Sequence, residues 1–463
     1  MRSKVDAQPA DKVDKIHRPV LARAGRNFGW LAASMGFSAF ASLIYVALTA
    51  RALGPTGFGI FALVMTYGEL ITNIAQFQSW KAVTSFGAAH QRAQERPRLE
   101  RLFGYTLSVD LLSGLIGSIA AALGVPLVGA LLHWTNLEET AAIWFGAALL
   151  LTSSTAPAGM LRLLLRFDLQ AWSEAVAQIT RFVGCFVGWF TGKGVVWFLE
   201  VWALAALLQL ISQWLAVLAL GHRPSVSLDC MRLAHKENPG LWGFMVNTNL
   251  SNTLSIFWMQ FGTLLVGIRA GAAEAGGFRL AYRFSIAMTK PVEIATKALF
   301  PELARLVADD DHKTLTKVLA RVTRVSTALA TFVVLAALVW GRPILGLIAG
   351  AHFEFAHSFL FLLCIASGIG VAGFAFEPLL NAHFRAGTVL RNSAIAALIY
   401  LILVVLLLPR FGAEAAALAA IAASFSSVGM MGLGAIQILA RKGDRSYLGA
   451  TKTTNFPAPP IGR

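Results

Sequence analysis

Runs of about 20 apolar residues, parted by short polar breaks, recur from end to end of this chain. Nothing constrains its fold more. In a bilayer only helices and closed barrels satisfy every backbone N–H and C=O, and unbroken apolar runs are the helical signature, whereas barrel strands alternate. The runs predict spans at 28–50, 58–80, 104–131, 141–161, 172–191, 195–220, 241–268, 275–299, 318–340, 355–380, 390–408 and 412–440. The composition agrees, with 56% hydrophobic and 14% charged residues and a mean hydropathy of +0.64. The expected fold class is an all-α integral membrane protein of about 12 transmembrane helices, with both chain ends on one side.

A net charge of +15 would suit a nucleic-acid partner, but its distribution points elsewhere. Of 39 Lys and Arg, thirty fall in the tails and in alternate loops, and five (Arg51, Lys193, Arg269, Arg342 and Arg410) fall in the opposite loops. This asymmetry is the positive-inside pattern, which places both termini in the cytoplasm of a multi-pass inner-membrane protein. Only Arg181, Arg279, Arg283 and Lys290 remain to ask for another reading. Cys185, Cys230 and Cys364 are isolated, so neither a disulfide framework nor a metal site is implied.

Residues 221–240 break the apolar pattern with Pro224, Asp229, Arg232, His235, Lys236 and Pro239. The chain then reads as a basic, disordered cytoplasmic tail (1–27), a six-helix half (28–222), a cytoplasmic linker (223–240), a second six-helix half (241–440) and a cytoplasmic tail (441–463). The halves repeat one another. Arg51-Ala-Leu-Gly returns as Arg269-Ala-Gly, Gly57-Phe58 as Gly277-Phe278, Arg101 as Arg321 and Arg166 as Arg385, at offsets of 218 to 220 residues. An offset of six spans preserves orientation, which predicts two parallel bundles related by an axis along the membrane normal.

The eighth span is the least comfortable in lipid. Arg279, Arg283, Lys290, Glu293 and Lys297 fall within about 80° of arc on one helix face. Arg283 and Lys290 lie roughly 9 and 20 Å along the axis from Gly277, inside a hydrocarbon core of about 30 Å. A charge there costs at least about 2.5 kcal/mol unless it meets protein or water. A basic stripe at that depth predicts a hydrated cavity suited to an anion; the alternative is that these charges pair with Glu69, Glu293 or backbone carbonyls and only fix helix packing. Pro291 is expected to bend this helix.

Other candidates flank that stripe. Glu69 sits midway across the second span, where it serves either as a coupling group or as a structural partner; Glu293 shares the first role. Arg181 in the fifth span either snorkels to the interface or joins the stripe. The seventh span opens with Asn247, Thr248, Asn249, Ser251, Asn252, Thr253 and Ser255, a polar density that must be buried or line water; Asn249 and Asn252 are its candidate cavity residues. Asp110 lies nearer the cytoplasmic edge, within reach of water. Arg162 and Arg166 are spaced to anchor a helix end or to meet lipid phosphates. Pro126 and Pro157 are expected to kink spans three and four. Neither HExxH, nor a Walker loop, nor a nucleophile elbow occurs, so no enzyme chemistry, metal or cofactor is expected.

Arg51-Ala-Leu-Gly-Pro-Thr-Gly-Phe-Gly59 at the first hairpin and Leu161-Arg-Leu-Leu-Leu-Arg-Phe-Asp168 after span four resemble the polysaccharide-transporter branch, the Wzx-like O-antigen flippases, of the multidrug/oligosaccharidyl-lipid/polysaccharide exporters. The resemblance runs over roughly 28–440. It implies a two-lobe, MATE-like transporter with a cationic central cavity, moving an undecaprenyl-diphosphate-linked oligosaccharide to the periplasmic leaflet by alternating access. In that reading Arg279, Arg283, Lys290 and Lys297 hold the diphosphate, with membrane lipids and other polysaccharide-assembly proteins as partners and no nucleic acid. The alternatives are a MATE-type drug or cation antiporter, a lipid II flippase and, from another class, a membrane glycan polymerase or ligase. The last would need a large periplasmic loop, for which the breaks are too short.

Overall fold

The computed structural model describes residues 10–287, 312–382 and 386–440, and all regular structure among them is helical. Eleven of the twelve apolar runs fall on helices, and the described part of the remaining one, 275–287, is helical as well. In chain order these are α1 (Ala10–Ala75), α2 (Ser79–Arg92), α3 (Arg96–Leu132), α4 (Asn136–Thr152), α5 (Ala156–Leu163), α6 (Phe167–Phe190), α7 (Val195–Ala219), α8 (Leu228–Glu237) and α9 (Leu241–Ala270). They continue with α10 (272–287), α11 (His312–Ala349), α12 (His357–Ala372), α13 (Phe376–Ala382), α14 (Ala386–Phe411) and α15 (Glu414–Ala440). Eight helical segments among the described residues are long and apolar enough to cross a membrane. Their outer faces carry uncovered aliphatics, as on α3 with Leu112, Leu115, Ile119, Leu123 and Leu127. That surface suits lipid and would be costly in water.

Local chemistry sets the helix limits. Thr135 and Glu138 form a capping box at the start of α4, where the Thr135 N–H donates to Glu138 Oε2 at 2.7 Å and the Glu138 N–H to Thr135 Oγ1 at 3.4 Å. Within α1 the helical path is interrupted at one residue, Gly54 (φ 65°, ψ 180°). Only glycine adopts that conformation cheaply, and Pro55 then begins the next helix at a position where its missing N–H costs nothing. Gly271 (φ 91°, ψ 173°) makes the same joint between α9 and α10. The two joints meet. A Cβ on Gly59 would collide with the Ala272 carbonyl, and one on Gly276 would come within 2.8 Å of the Gly59 Cα. Arg51, just before the first joint, ties α1 to a third helix by donating to the carbonyls of Ile348 (2.8 Å) and Leu347, at the C-terminus of α11. A cation is favoured there by the helix dipole.

Several expectations change. Residues 10–27, read as a disordered lead, are helical and continuous with the first span; a span already formed lets good helix formers such as Ala, Lys, Leu and Arg add turns without a new nucleus. Spans 58–80 and 141–161, read as single helices, are each broken, at 76–78 and 153–155. Pro157 therefore lies in the first turn of α5 rather than at a kink, while Pro126 sits inside α3 without ending it.

The breaks are held by Asp110, which is buried at 6% exposure rather than open to water. It accepts from the hydroxyls of Ser79 and Ser154 (the latter at 3.0 Å) and from the N–H groups of Thr155 at 3.0 Å and Ala156 at 3.3 Å. Helix starts leave unsatisfied N–H groups and a positive dipole end, and one carboxylate answers both for α5 while anchoring α2 through Ser79.

α1 packs against α3, α4, α6 and α7, and α12 and α14 both pack against α15, while α9 touches both α1 and α14. An aromatic cluster fills the first group, with Trp202 edge-on to Tyr45 (5.2 Å) and Phe61 (5.0 Å). The linker helix α8 is clamped to α3 by Arg101, whose Nε donates to Glu237 Oε2 at 3.0 Å and Nη2 to Glu237 Oε1 at 2.5 Å. Buried His90 faces Asn238 Oδ1 across 2.9 Å beside that clamp.

Candidate functional site

The site begins where α1 ends. Because the helix stops at Ala75, the carbonyls of its last turn lack helical donors. α9 supplies donors. Asn249 Nδ2 donates to the Gln76 carbonyl at 2.5 Å and weakly to Ile74 at 3.4 Å, and Thr253 Oγ1 donates to the Asn73 carbonyl at 2.8 Å. The polar run at the head of the seventh span thus completes a broken neighbour. On the other side of the break, Gln76 Nε2 donates to the Ser153 carbonyl.

One and a half turns deeper, a single carboxylate meets two guanidiniums. Glu69 Oε2 accepts from Arg279 Nη2 at 2.5 Å and from Gln260 Nε2 at 2.7 Å, and its Oε1 faces Arg283 Nη2 at 3.5 Å. Gln260 Oε1 in turn accepts from Arg279 Nη1 at 3.0 Å. Glu69 comes from α1, Gln260 from α9, and both arginines from α10. Arg279 is buried at 6% exposure, while the Arg283 side chain remains 43% exposed. Two cations against one anion leave one positive charge in excess, carried on the exposed member. Removing such a pair from water costs several kcal/mol per ion, so packing stability is a weak reason to keep it. A half-exposed guanidinium at this depth requires water around it.

The other sequence candidates distribute as follows. Arg279, Arg283 and Glu69 come together. Asn249 lies along the same α9 face as Gln260, at the α1 break, and Asn252 is half-buried one turn from it. Arg181 makes none of the cluster's bonds; it lies inside the first helix group with its guanidinium 5.8 Å over the Trp202 ring. Lys290, Pro291, Glu293 and Lys297 lie outside the described residues. Arg166 pairs with Asp168 at 2.8 Å, and Arg162 stacks 4.3 Å over the Trp80 ring. Gln260 was missed by sequence reasoning, although it lies seven residues after Thr253, two turns along the same face. Among the described residues no group of His, Cys, Asp and Glu could hold a metal ion.

This arrangement can attract an anion through Arg283 and exchange it against Glu69, because both carboxylate and phosphate accept from guanidinium in the same bidentate way.

A family profile described as polysaccharide biosynthesis protein matches residues 24–307. Inner membrane protein YghQ of Escherichia coli is 27% identical over 345 residues, covering 72% of this chain and 95% of that protein. Among solved structures, one described as the lipid II flippase MurJ in an inward closed conformation superposes with a TM-score of 0.71 at 13% identity, covering 88% of this chain and 87% of that one. An inward-facing multidrug resistance MATE family transporter of the MOP superfamily superposes at 0.63 with 12% identity, covering 92% and 96%. At such identities the likeness is one of fold.

Proposed function

The chain belongs to the polysaccharide biosynthesis protein family, and on that premise we propose that it is a flippase, not an enzyme, which carries a diphosphate-linked oligosaccharide on a polyprenyl lipid from the cytoplasmic to the periplasmic leaflet. The observation that carries this reading is the pair Arg279 and Arg283 opposed by one carboxylate, Glu69. A diphosphate crossing a low-dielectric layer needs fixed cations in a wet site. Arg283 is the exposed receptor, and Arg279 is the buried one that the cargo reaches by displacing Glu69. Lys290 and Lys297 extend the stripe towards the cytoplasm, with Glu293 tempering it.

In this proposal residues 28–222 and 241–440 act as two halves in a bacterial inner membrane, with both termini cytoplasmic. All three components of the charge cluster's second shore, Gln260, Arg279 and Arg283, belong to the second half, so alternating access about the Gly59–Gly276 crossing would part them from Glu69. The fold shared with MurJ, described as a lipid II flippase, and a family described by polysaccharide biosynthesis support the cargo class. A cation antiporter would need a carboxylate free for its ion, whereas Glu69 is engaged by two guanidiniums and an amide.

Deletion of the gene tests the proposal. Lipid-linked oligosaccharide should accumulate in the cytoplasmic leaflet and clear on restoring the wild-type gene. An unchanged lipid-linked pool with normal surface glycan would refute it.

A further inference from the structure

At one end of the bundle the two proposed halves meet through contacts of different kinds. Gly59 and Gly276 cross there, the Phe58 ring meets Phe353 edge-on at 5.7 Å, and Arg51 donates from Nε to the Ile348 carbonyl at 2.8 Å and from Nη2 to that of Leu347. We propose that Arg51 is the latch of a gate at this end, the outer one in the proposed topology, and that its release lets the halves part there.

The last carbonyls of a helix lack intrahelical donors and stand at the negative end of its dipole. α11 runs to Ala349, so the carbonyls of Leu347 and Ile348 are of this kind. The planar fork of a guanidinium takes both at once, which the point charge of a lysine does less well. Glu354, the acid that follows α11, is held instead by Arg342 at 2.7 Å, so Arg51 is seated on neutral acceptors. Its side chain is exposed, and water takes over its donors when it lets go. The crossing and the ring pair are apolar contacts, which leaves Arg51 as the directional one. Gly54, three residues further on, is the joint about which α1 can turn.

The repeat supplies an internal comparison. Arg269, the counterpart of Arg51, precedes the Gly271 joint as Arg51 precedes Gly54. Its helix end also lies against the other half, since a Cβ on Gly267 would come within 3.0 Å of the Leu132 side chain at the end of α3. Yet among the described residues Arg269 takes part in no hydrogen bond or ion pair. Two arginines placed alike but engaged on one side only mark a contact set by the conformation rather than by the repeat. The latch rests on the alternating-access part of the flippase reading, but not on its cargo.

The test is the distance between spin labels at Thr56→Cys and His352→Cys, exposed positions on opposite sides of the gate, in the purified full-length protein in detergent. Cys185 and Cys364 are buried, so Cys230→Ser is the one background change needed. Pulsed electron–electron double resonance should give a short distance in this parent. Arg51→Gln should raise the share of a second, longer distance by about tenfold at a Tm close to the parent's. Arg51→Lys should fall between the two and serves if the first variant fails to fold, while Arg269→Gln should change nothing. A mere staple of the fold would lower Tm and leave the distance single. An unchanged distribution in the folded Arg51 variants, or equal widening by Arg269→Gln, would overturn the latch. Widening confined to the Arg51 variants, in a protein whose deletion leaves lipid-linked glycan unchanged, would uphold the latch and defeat the flippase reading alone.

Discussion

Glu69 and Asp110 both lie in the membrane-spanning part of the first half, and they are used in opposite ways. Asp110 is ringed by hydroxyls and backbone N–H groups from α2 and from the residues that start α5. Glu69 is ringed by side chains from α9 and α10. The donors of Asp110 all belong to one helix group, and no movement between groups need disturb them. Those of Glu69 reach it from over 190 residues away in sequence, across the contact between α1 and α9. The first carboxylate completes a fold; the second balances charges that, in the proposed function, the cargo releases.

The largest expected effect falls on the structural member. Asp110→Ala would leave two helix-start N–H groups and two hydroxyls without an acceptor, and should cost about 3 to 5 kcal/mol. It should be read as a steep loss of Tm in detergent and of abundance in membranes. Normal values for both would remove the distinction between the two carboxylates.

Next comes the ion pair. Arg279→Gln alone should destabilise by about 2 to 4 kcal/mol, because it takes the nearer cation from Glu69. The double variant Glu69→Gln, Arg279→Gln keeps the cluster's hydrogen-bonding shape without the pair and should recover most of that stability. Export should not recover, remaining about ten- to a hundredfold below wild type, since one charge-assisted contact to phosphate is worth about 1.5 to 3 kcal/mol. If export returned together with stability, the pair would be structural, like Asp110.

Arg283 should separate the two properties most cleanly. Its side chain is 43% exposed, so Arg283→Gln should change stability by no more than about 0.5 kcal/mol while lowering export at least tenfold, with Arg283→Lys intermediate. Equal export by all three forms would deny the exposed cation a role.

The smallest effect belongs to the cytoplasmic-side loop of the proposed topology. Glu95 is hydrogen-bonded by His90 and lies beside Arg98, which together hold its carboxyl below the usual range. A depressed carboxylate contributes above its unfolded pKa and loses that contribution as pH falls through the lower folded value. Glu95→Gln should therefore be almost silent in Tm at pH 7 and abolish only a slight loosening below about pH 4. A large change at neutral pH would contradict this.

Much of this could be read from the residues. Apolar length located the helical runs among the described residues, since hydrocarbon thickness leaves little freedom, and the charges of Arg279 and Arg283 within an apolar run marked them as needing protein or water around them. Glu69 was legible as an intramembrane acid and as an alternative partner for the basic stripe, but Gln260 was not, because tertiary pairing leaves no local pattern. The broken helices escaped for a similar reason. Apolar runs continue through 76–78 and 153–155, and what interrupts them is a carboxylate on a third helix. Ser153-Ser-Thr-Ala-Pro157 held the signal, with hydroxyls before a proline suited to a helix start.

Binding of the cargo's diphosphate by the cluster underlies the proposed function. It is tested most directly by filter binding of radiolabelled polyprenyl diphosphate to the purified protein in detergent micelles. Wild type is compared with the charge-free triple variant Glu69→Gln, Arg279→Gln, Arg283→Gln at matched Tm. Wild type should bind, more weakly as salt rises, and affinity should fall by about a hundredfold or more in the triple variant. Equal affinity in the two proteins would contradict it.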